Sequence, residues 1–543
     1  MNIFYRLIPA LLAVFLLGSC SRGPQKHITS EVEFHQEGFP IVDETVTIEI
    51  GALTGQTENQ ILENDFRIFD EMEELTNVKV KWRPISWDNL ISKIILMFVS
   101  NDYPEAFMGF FHNPQDYQRM VDQGLLLPLD SYIEAGLMPN FSQKIAANPG
   151  MTESLVLNDG NLYSLPRFEE TRSGGIGGIW HTLNLNKEWM DALNLEAPET
   201  LNELVEVLKA FRDGDPNGNG LDDEIPYSAY WSGGGNQNCL WPLLGAFGLQ
   251  DNLTYQYMVR DGQVIPGYMQ PEYKDAIKFF HYLYREELLD LEFISQNKEA
   301  FDSKLRNNKV GFWIEWPIVF NEPNSAGEDA VNIVKEKVLT IPPLKGPSGD
   351  NPIWPWVRVL PMGSLELTKK CKNPEVILRW ADLFYDDYYG LQVRYGAWNQ
   401  RLFKDEDGAL YLKDPVDENF NIETITMNNA PFILNKPSAY GSFRRNPIDD
   451  YADQIFQQYV PYKAEDVMTF PVLPKAENKL VASFQADSRK LIENKVAMWI
   501  TGDANIDEEW DDYIAELKKM GVEEIFSIYQ KAYEQQRARR EVN

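Results

Sequence analysis

The chain has 543 residues, more than one hydrophobic core usually serves, so two or more domains are expected. At 44% apolar and 13% aromatic residues, it has ample material for a globular interior and the wrong composition for disorder. A formal charge of −32 argues against nucleic acid, whose binding needs Lys and Arg on phosphates, and against a basic membrane-binding face.

Residues 1–20 read as a signal peptide, with Arg6 as the basic start and Leu7 to Leu17 as an apolar run too short to span a bilayer comfortably. The leader ends Leu17-Gly18-Ser19-Cys20, which resembles a bacterial lipobox. That predicts lipid on Cys20 and an extracytoplasmic, membrane-anchored body. Residues 21–40 lack periodicity and read as a tether. After processing only Cys239 and Cys371 remain. Two buried free thiols are expected, since Cys239 lies in the apolar run CLWPLLGAF; one disulfide is the alternative.

Val46 to Ile50 alternates and predicts a strand, followed by the loop GALTGQTENQ and a helix over Asn59 to Leu75. A second strand is expected over Val78 to Trp82, ending before Pro84, then a helix from Trp87 and a buried strand within 101–110. Strand, helix, strand, helix, strand is the order of a parallel α/β sheet. The glycine cluster Ser173 to Gly178 is not GxGxxG, because Trp180 occupies the third position; it reads as a crossover between lobes. A strand over Ile179 to Leu185 follows, with Asn186 as cap of a helix at Trp189. Thr200 and Glu203 form a capping box before the apolar stripe Leu201, Leu204, Val205, Leu208 and Phe211.

The loop Asp213 to Glu224, DGDPNGNGLDDE, crowds oxygen ligands around three glycines. Hard cations such as calcium want six to eight oxygens, and only a sharply folded loop supplies so many from so few residues. Two registers fit. One starts at Asp213 with EF-hand spacing, Gly218 sixth and Glu224 twelfth. The other starts at Asp215 and uses Asn217, Asn219, the Leu221 carbonyl, Asp223 and Glu224; it is preferred because alternate residues can all point inward. The competing reading is a solvated Asx/Gly turn. The loop joins a helix to a strand expected over Ile225 to Ala229, so calcium here is a structural clip.

Downstream, an amphipathic helix is expected over Glu272 to Leu288 and a buried strand over Val310 to Ile314. Pro342 to Pro355 reads as a second crossover, returning to a strand at Val357 to Met362 and a helix over Pro374 to Tyr388. The last hundred residues read as mostly helical, with Trp510, Tyr513, Ile514 and Leu517 on one face and Gly521 as a stop. No internal repeat is visible.

Catalytic signatures are missing. None of the five histidines (His27, His35, His112, His181, His281) lies in HExxH, and neither GxSxG nor a Walker A sequence occurs. With 82 carboxylates, chance pairs of any spacing arise, so spacing argues neither for nor against a glycosidase dyad. Tryptophans say more. Trp231, Trp313, Trp316, Trp354, Trp356 and Trp398 fall at expected strand ends, loops or crossovers, beside Glu315, Arg358, Arg394, Asn399 and Gln400. Sugar rings lie on indole faces while their hydroxyls need such polar neighbours. The expected ligand residues are Trp316, Trp356, Trp231, Trp398, Arg358 and Glu315. Trp82, Trp189, Trp380, Trp499 and Trp510 are assigned to packing, which also competes for every other tryptophan.

Four stretches carry a family resemblance: FPIVDETVTIEI; LNKEWMDALNLEAPETLNELVEVLKAF with DPNGNGLDDEIP; QPEYKDAIKFFHYLYREELLD; and ITGDANIDEEWDDYIAELKKMGVEEIFSIYQKAY. The chain resembles extracellular solute-binding lipoproteins of carbohydrate ABC transporters, especially long Gram-positive members and calcium-containing alginate-oligosaccharide binders. The resemblance implies a two-lobed α/β Venus-flytrap fold with discontinuous lobes, a sugar or oligosaccharide in the cleft, an ABC permease as partner and a monomer without catalytic activity. It places calcium on Asp215, Asn217, Asn219, the Leu221 carbonyl, Asp223 and Glu224, and a sugar platform at Trp316 in IEWP. Lobe 1 is expected over 41–168 plus 356–399 and lobe 2 over 178–350 plus 440–543, with extra length around 400–480. The alternatives are a surface-anchored polysaccharide-degrading enzyme and a binding protein that signals to a receptor. A helical-repeat glycan-capture protein is disfavoured by the early strands and the missing 34-residue repeat.

Overall fold

The computed structural model describes residues 29–54, 67–86, 90–109, 114–148, 155–157, 159–169, 181–230, 240–250, 257–315, 327–347, 349, 351–354, 364–413, 430–434, 443–444, 447–464, 466–468 and 473–542. Strand β1 (Val46–Thr54) buries Ile48, Ile50 and Ala52 and pairs in parallel with β2 (Val78–Ser86) and β3 (Ala106–Met108). Both long strands outrun the sequence expectation. β1 continues past Ile50, and β2 runs through Pro84, which sits opposite Ala52. β2 is the edge of its sheet, so the N–H that proline lacks costs no ladder bond there.

In chain order the remaining strands are β4 (Arg167–Glu169), β5 (Thr182–Asn186), β6 (Ile225–Tyr227), β7 (Met258–Arg260), β8 (Gln263–Ile265), β9 (Val310–Glu315), β10 (Val338–Ile341), β11 (Leu365–Leu367), β12 (Leu402–Lys404), β13 (Leu410–Leu412), β14 (Phe432–Leu434) and β15 (Phe443–Arg444). One four-stranded sheet has the order β11-β3-β1-β2, with β11 antiparallel to β3. The other has the order β10-β5-β9-β6, in which β5 runs antiparallel to both neighbours and β6 runs parallel to β9.

Two separate cores form around these sheets. The first gathers apolar residues from Ile41 to Leu165 and from Leu365 to Leu434; the second gathers them from Leu183 to Trp354 and from Ala452 to Tyr533. The second segment of the first core therefore continues past 399, as far as Leu434 on β14, which pairs with β4. The chain passes between cores three times: after Leu165, after Trp354 and after Leu434.

Local signals set the helices of the second core. The Asn186 side chain accepts from Trp189 N at 3.2 Å, and the Thr200/Glu203 capping box opens the helix Leu201–Asp213. Its apolar stripe packs on β9 so closely that a Cβ on Gly311 would lie 2.3 Å from Phe211, so only glycine fits. The helix expected over Pro374 to Tyr388 is instead two helices, Pro374–Asp382 and Asp387–Tyr395, because Asp386 caps the second through Tyr388 N. The C-terminal part is helical as expected, with Trp510, Tyr513 and Leu517 buried and Gly521 at φ +97° after the last turn. The long helix Lys475–Thr501 packs on Pro271–Arg285 of its own core and also on Pro114–Asp122 of the other. Cys371 is a buried free thiol whose pKa burial pushes up, and Cys239 lies outside the described residues.

Candidate functional site

Strands β6 and β9 run parallel and end at the same edge of the second sheet, and the antiparallel β5 begins there. In sequence, β5 is the first strand of the second core after the first core's Leu165, so the crossover between cores arrives at that edge. The C-terminal ends of parallel strands at a change of lobe are where α/β sheets bind ligands. Four side chains meet at this edge. Glu315, the last residue of β9, is 9% exposed. The Tyr230 hydroxyl donates to its Oε2 at 3.0 Å, His181 Nε2 lies 3.9 Å from Oε1, and Lys298 Nζ lies 4.0 Å from Oε2.

Buried polar groups hold this edge from below. The Thr182 hydroxyl and the Asn184 amide both donate to the Glu315 carbonyl, each at 3.2 Å. The segment carrying Tyr230 is fixed by Asp290, which accepts from the Ser228 hydroxyl at 2.6 Å and from Lys304 at 2.8 Å. Gln296 Nε2 donates to the same carboxylate at 2.9 Å and to the Ala229 carbonyl. Lys298 opens the helix Lys298–Arg306, which Asn297 caps through Ala300 N, and it pairs with Asp302 at 2.8 Å. Burial pushes the His181 imidazole down in pKa, while the Glu315 carboxylate opposes the shift. Such a buried, held carboxylate among hydroxyl, imidazole and ammonium groups can accept hydrogen bonds from vicinal sugar hydroxyls.

The loop 213–224 folds on its own side chains. Asp215 accepts from Asn219 N at 3.1 Å and from Gly220 N at 3.0 Å, and Asn217 Oδ1 accepts from Asn219 N at 3.0 Å. The amides of Asn217 and Asn219 both donate to Asp223 Oδ1, at 3.2 and 3.0 Å. Gly218 and Gly220 take φ of +68° and +73°, a region L side chains rarely adopt. Lys309 and the two amides hold the Asp223 carboxyl down to about 2. Glu224 behaves in the opposite way. Both its carboxylate oxygens are buried and reach no side-chain donor among the described residues. Burial raises its pKa, backed by the Asp223 and Asp215 charges, although the backbone N–H groups of Glu224 and Asp223 oppose the rise. A buried carboxylate with no side-chain donor is suited to a cation ligand. No set of three or more His, Cys, Asp or Glu among the described residues is arranged to hold a metal ion. A shell here would draw on the Asn217 and Asn219 amides and the Leu221 carbonyl as well, which are oxygens that calcium accepts.

Residues 53–387 match the model of the bacterial extracellular solute-binding protein family. The chain belongs to that family. A fructooligosaccharide ABC transporter substrate-binding protein, FusA, from Streptococcus pneumoniae is 30% identical over 98% of this chain and 97% of that protein. Its structure with kestose superposes at a TM-score of 0.78, with 26% identity over 91% of this chain and 100% of that one. A further FusA structure, of an EF-hand mutant with fructo-nystose, gives the same TM-score at 25% identity. A polygalacturonan/rhamnogalacturonan-binding protein from Bacillus subtilis is 25% identical over 86% of this chain and 88% of its own length. The fold is accordingly the two-lobed α/β fold of sugar-binding family members.

Among the expected ligand residues, Glu315 stands at the second-lobe edge. Trp398 lies on the first core, stacked on Tyr388 at 5.9 Å with its Nε1 turned to the Tyr388 carbonyl. Trp231, Trp316, Trp356 and Arg358 lie outside the described residues, as does Cys20. Two of the wider set of tryptophans are packing residues. Trp313 is 1% exposed in β9, and Trp354 is 3% exposed against Tyr459, with ring centroids 4.8 Å apart. Trp82, Trp189, Trp380, Trp499 and Trp510 are core residues, as assigned. Sequence reasoning missed Tyr230, His181 and Lys298. Tyr230 alone left a signal, as the last residue before Trp231 at an expected strand end.

Proposed function

We propose that the chain is a lipid-anchored substrate-binding protein that captures an oligosaccharide between its two lobes and delivers it to an ABC importer. The observation that carries this is the full-length likeness to the pneumococcal fructooligosaccharide-binding protein, coupled with a built polar edge where the crossover between cores arrives. On this reading Trp316 and Trp231, which directly follow Glu315 and Tyr230 in sequence, supply sugar platforms. Trp356, Arg358 and Trp398 complete the site from the first lobe. Calcium in the loop is held by Asp215, Asn217, Asn219, the Leu221 carbonyl, Asp223 and Glu224. The EF-hand named in the pneumococcal relative and the buried Glu224 carboxylate, which no side-chain donor among the described residues reaches, support it. A calcium ion there gives positive charge to the buried Glu224 and stiffens the joint between helix and β6; it takes no part in sugar chemistry.

The decisive experiment is calorimetric titration with kestose, maltotriose and xylotriose. Saturable binding of one trisaccharide per chain, without release of new reducing ends, is expected; hydrolysis would favour an enzyme, and no binding to any glycan would overturn the reading. Cys20→Ala is expected to move the protein from the membrane fraction to the soluble fraction. Among the described residues no helix is long and apolar enough to cross a membrane.

A further inference from the structure

We infer that one end of the first lobe, formed by the last turn of the helix Leu90–Val99 and the turn 368–373, rests on the lipid surface to which Cys20 is anchored. This rests on the anchoring reading above and adds to it the face that meets the bilayer.

The N-terminal segment joins the lobe at that turn. Glu31 N donates to the Lys372 carbonyl at 3.1 Å and to Asn373 Oδ1 at 3.0 Å, and Ser30 N donates to Glu375 Oε2 at 2.7 Å. Residues 30–42 are bound along the lobe from there. The Arg379 guanidinium donates to the His35 and Gly38 carbonyls, and Ile41 and Val42 are buried. Ser30 stands ten residues after Cys20. Ten extended residues reach at most about 35 Å, so lipid on Cys20 keeps the turn within that distance of the bilayer. The Ser364 carbonyl, where the chain arrives from the second core, accepts from Gly109 N beyond the end of β3. β11 then carries the chain to Thr368, whose N donates to the Glu105 carbonyl ahead of β3. The turn therefore lies at the end of the sheet opposite the crossover, and contact through it leaves the crossover end away from the bilayer.

The chemistry of this end suits a lipid surface. The helix Leu90–Val99 is apolar on two sides. Ile94 is buried, and Phe98 packs on Tyr103 and Phe107 with ring centroids 4.7 and 5.7 Å apart. Ile95, Leu96 and Val99 are nevertheless 45%, 66% and 79% exposed, where a helix on a water-facing surface carries polar residues. Two residues past Val99, the Asn101 carbonyl accepts from Lys370 Nζ, so the apolar turn and the lysine turn are neighbours. Lys369 and Lys372 flank it and are exposed. The carboxylates beside them are engaged. Asp102 is held by Arg83 at 2.8 Å, Glu105 accepts from Lys372 N and Glu49 N, and Glu375 accepts from Ser30. Glu31 and Glu33 are exposed on the N-terminal segment itself, so the apolar turn carries the contact and the lysines supplement it. Apolar side chains at the headgroup boundary, with lysines reaching up to phosphates beside them, make an interfacial contact.

The test is acetylation of lysines, followed by mass spectrometry. It compares the native lipidated chain on vesicles of phosphatidylglycerol and phosphatidylethanolamine with the Cys20→Ala protein in solution. Lys369 and Lys372 are expected to react more than about threefold more slowly on vesicles, because lysines against anionic headgroups hold that face down. Lys518 and Lys519, exposed on the second-core helix Ile506–Lys519, should react equally in both forms. Combining Leu96→Ser with Val99→Ser, both at exposed positions, should restore the rates at Lys369 and Lys372. Equal rates at Lys369 and Lys372 in the two forms, or equal slowing of Lys518 and Lys519, would overturn the inference and leave the anchor standing. Slowing that appears in the soluble protein as its concentration rises would give the turn to a second copy and overturn it as well. Rates unmoved by the double substitution would overturn the role of the apolar turn. Native protein that stays in solution when the vesicles are sedimented would overturn the anchoring reading, and this inference with it.

Discussion

Asp382 does for a distant helix what that helix cannot do for itself. The helix Pro139–Ala147 has proline at its first position, but its cap residue, Met138, has no polar side chain. Asp382 Oδ2 and Oδ1 instead accept from Asn140 N at 3.1 Å and Phe141 N at 2.8 Å, from 242 and 241 residues away. No local pattern could announce that pairing, and the sequence reading did not find it. Burial pushes the Asp382 pKa from 3.8 up to about 6, although the two amides and Arg379 pull it down. A carboxyl whose pKa is raised in the fold binds its proton more tightly there than in the unfolded chain. Its contribution therefore favours folding at low pH and is lost as pH rises from about 4 to about 6. Asp382→Asn should flatten the dependence of melting temperature on pH across that window, read as the difference between the two proteins. Asp382→Ala should cost about 1–3 kcal/mol by leaving buried N–H groups without an acceptor. Identical pH profiles for the native protein and Asp382→Asn would refute the assignment. The tryptophans show the same limit on sequence reading. Trp313 lies on a strand buried on both faces, where no alternation separates a core indole from one at a cleft.

Elements whose determinants are contiguous were legible; those decided by neighbours were not. The Thr200 box, the Asn186 cap and the Gly521 stop could be read because each lies within a few residues of what it caps. From sequence alone β2 ends before Pro84, because proline looks like a strand breaker and only sheet order reveals that the strand is an edge. The loop 213–224 was legible in its place, joining the helix Leu201–Asp213 to β6 as its flanking patterns indicate. In the proposed calcium form the metal replaces the mutual hydrogen bonds among Asn217, Asn219 and Asp223 and meets the buried Glu224 carboxylate. Binding to the folded state alone should stabilise by about 2.7 kcal/mol when free calcium is a hundredfold above its dissociation constant. A chelator should therefore lower the melting temperature, and Asp215→Ala should abolish that response while leaving trisaccharide affinity within about twofold, an effect under about 0.5 kcal/mol. Melting that ignores both chelator and calcium would make the loop a solvated Asx turn.

At the scale of the whole molecule, the α/β class followed from the early alternation of strands and helices, and the two lobes from the family resemblance. The facing edges did not follow, because they are assembled by chain crossings spread over hundreds of residues. After Trp354 the chain leaves the second core, and at Ser364 its carbonyl already accepts from Gly109 N beyond the end of β3. A tight clasp fixes the departure point: Gly245 accepts from Ile353 N at 2.9 Å, and a Cβ on Gly245 would meet the Ile353 carbonyl oxygen at 1.6 Å. A ligand touching Glu315 on one side and residues after that crossing on the other makes more contacts in the closed state than in the open one. It must therefore shift the equilibrium towards closure. The best neutral trisaccharide should reduce the radius of gyration measured by solution scattering. Trp316→Ala and Trp356→Ala should each weaken its binding by about 1–3 kcal/mol, the scale of losing an aromatic platform. They should leave melting of the ligand-free protein nearly unchanged, since a side chain at a cleft supports less core than a buried one. If affinity survives both substitutions, those indoles belong to packing, as Trp313 and Trp354 do. If scattering is the same with and without a saturating sugar, binding occurs without closure, and the importer must recognise the loaded protein by something other than its shape.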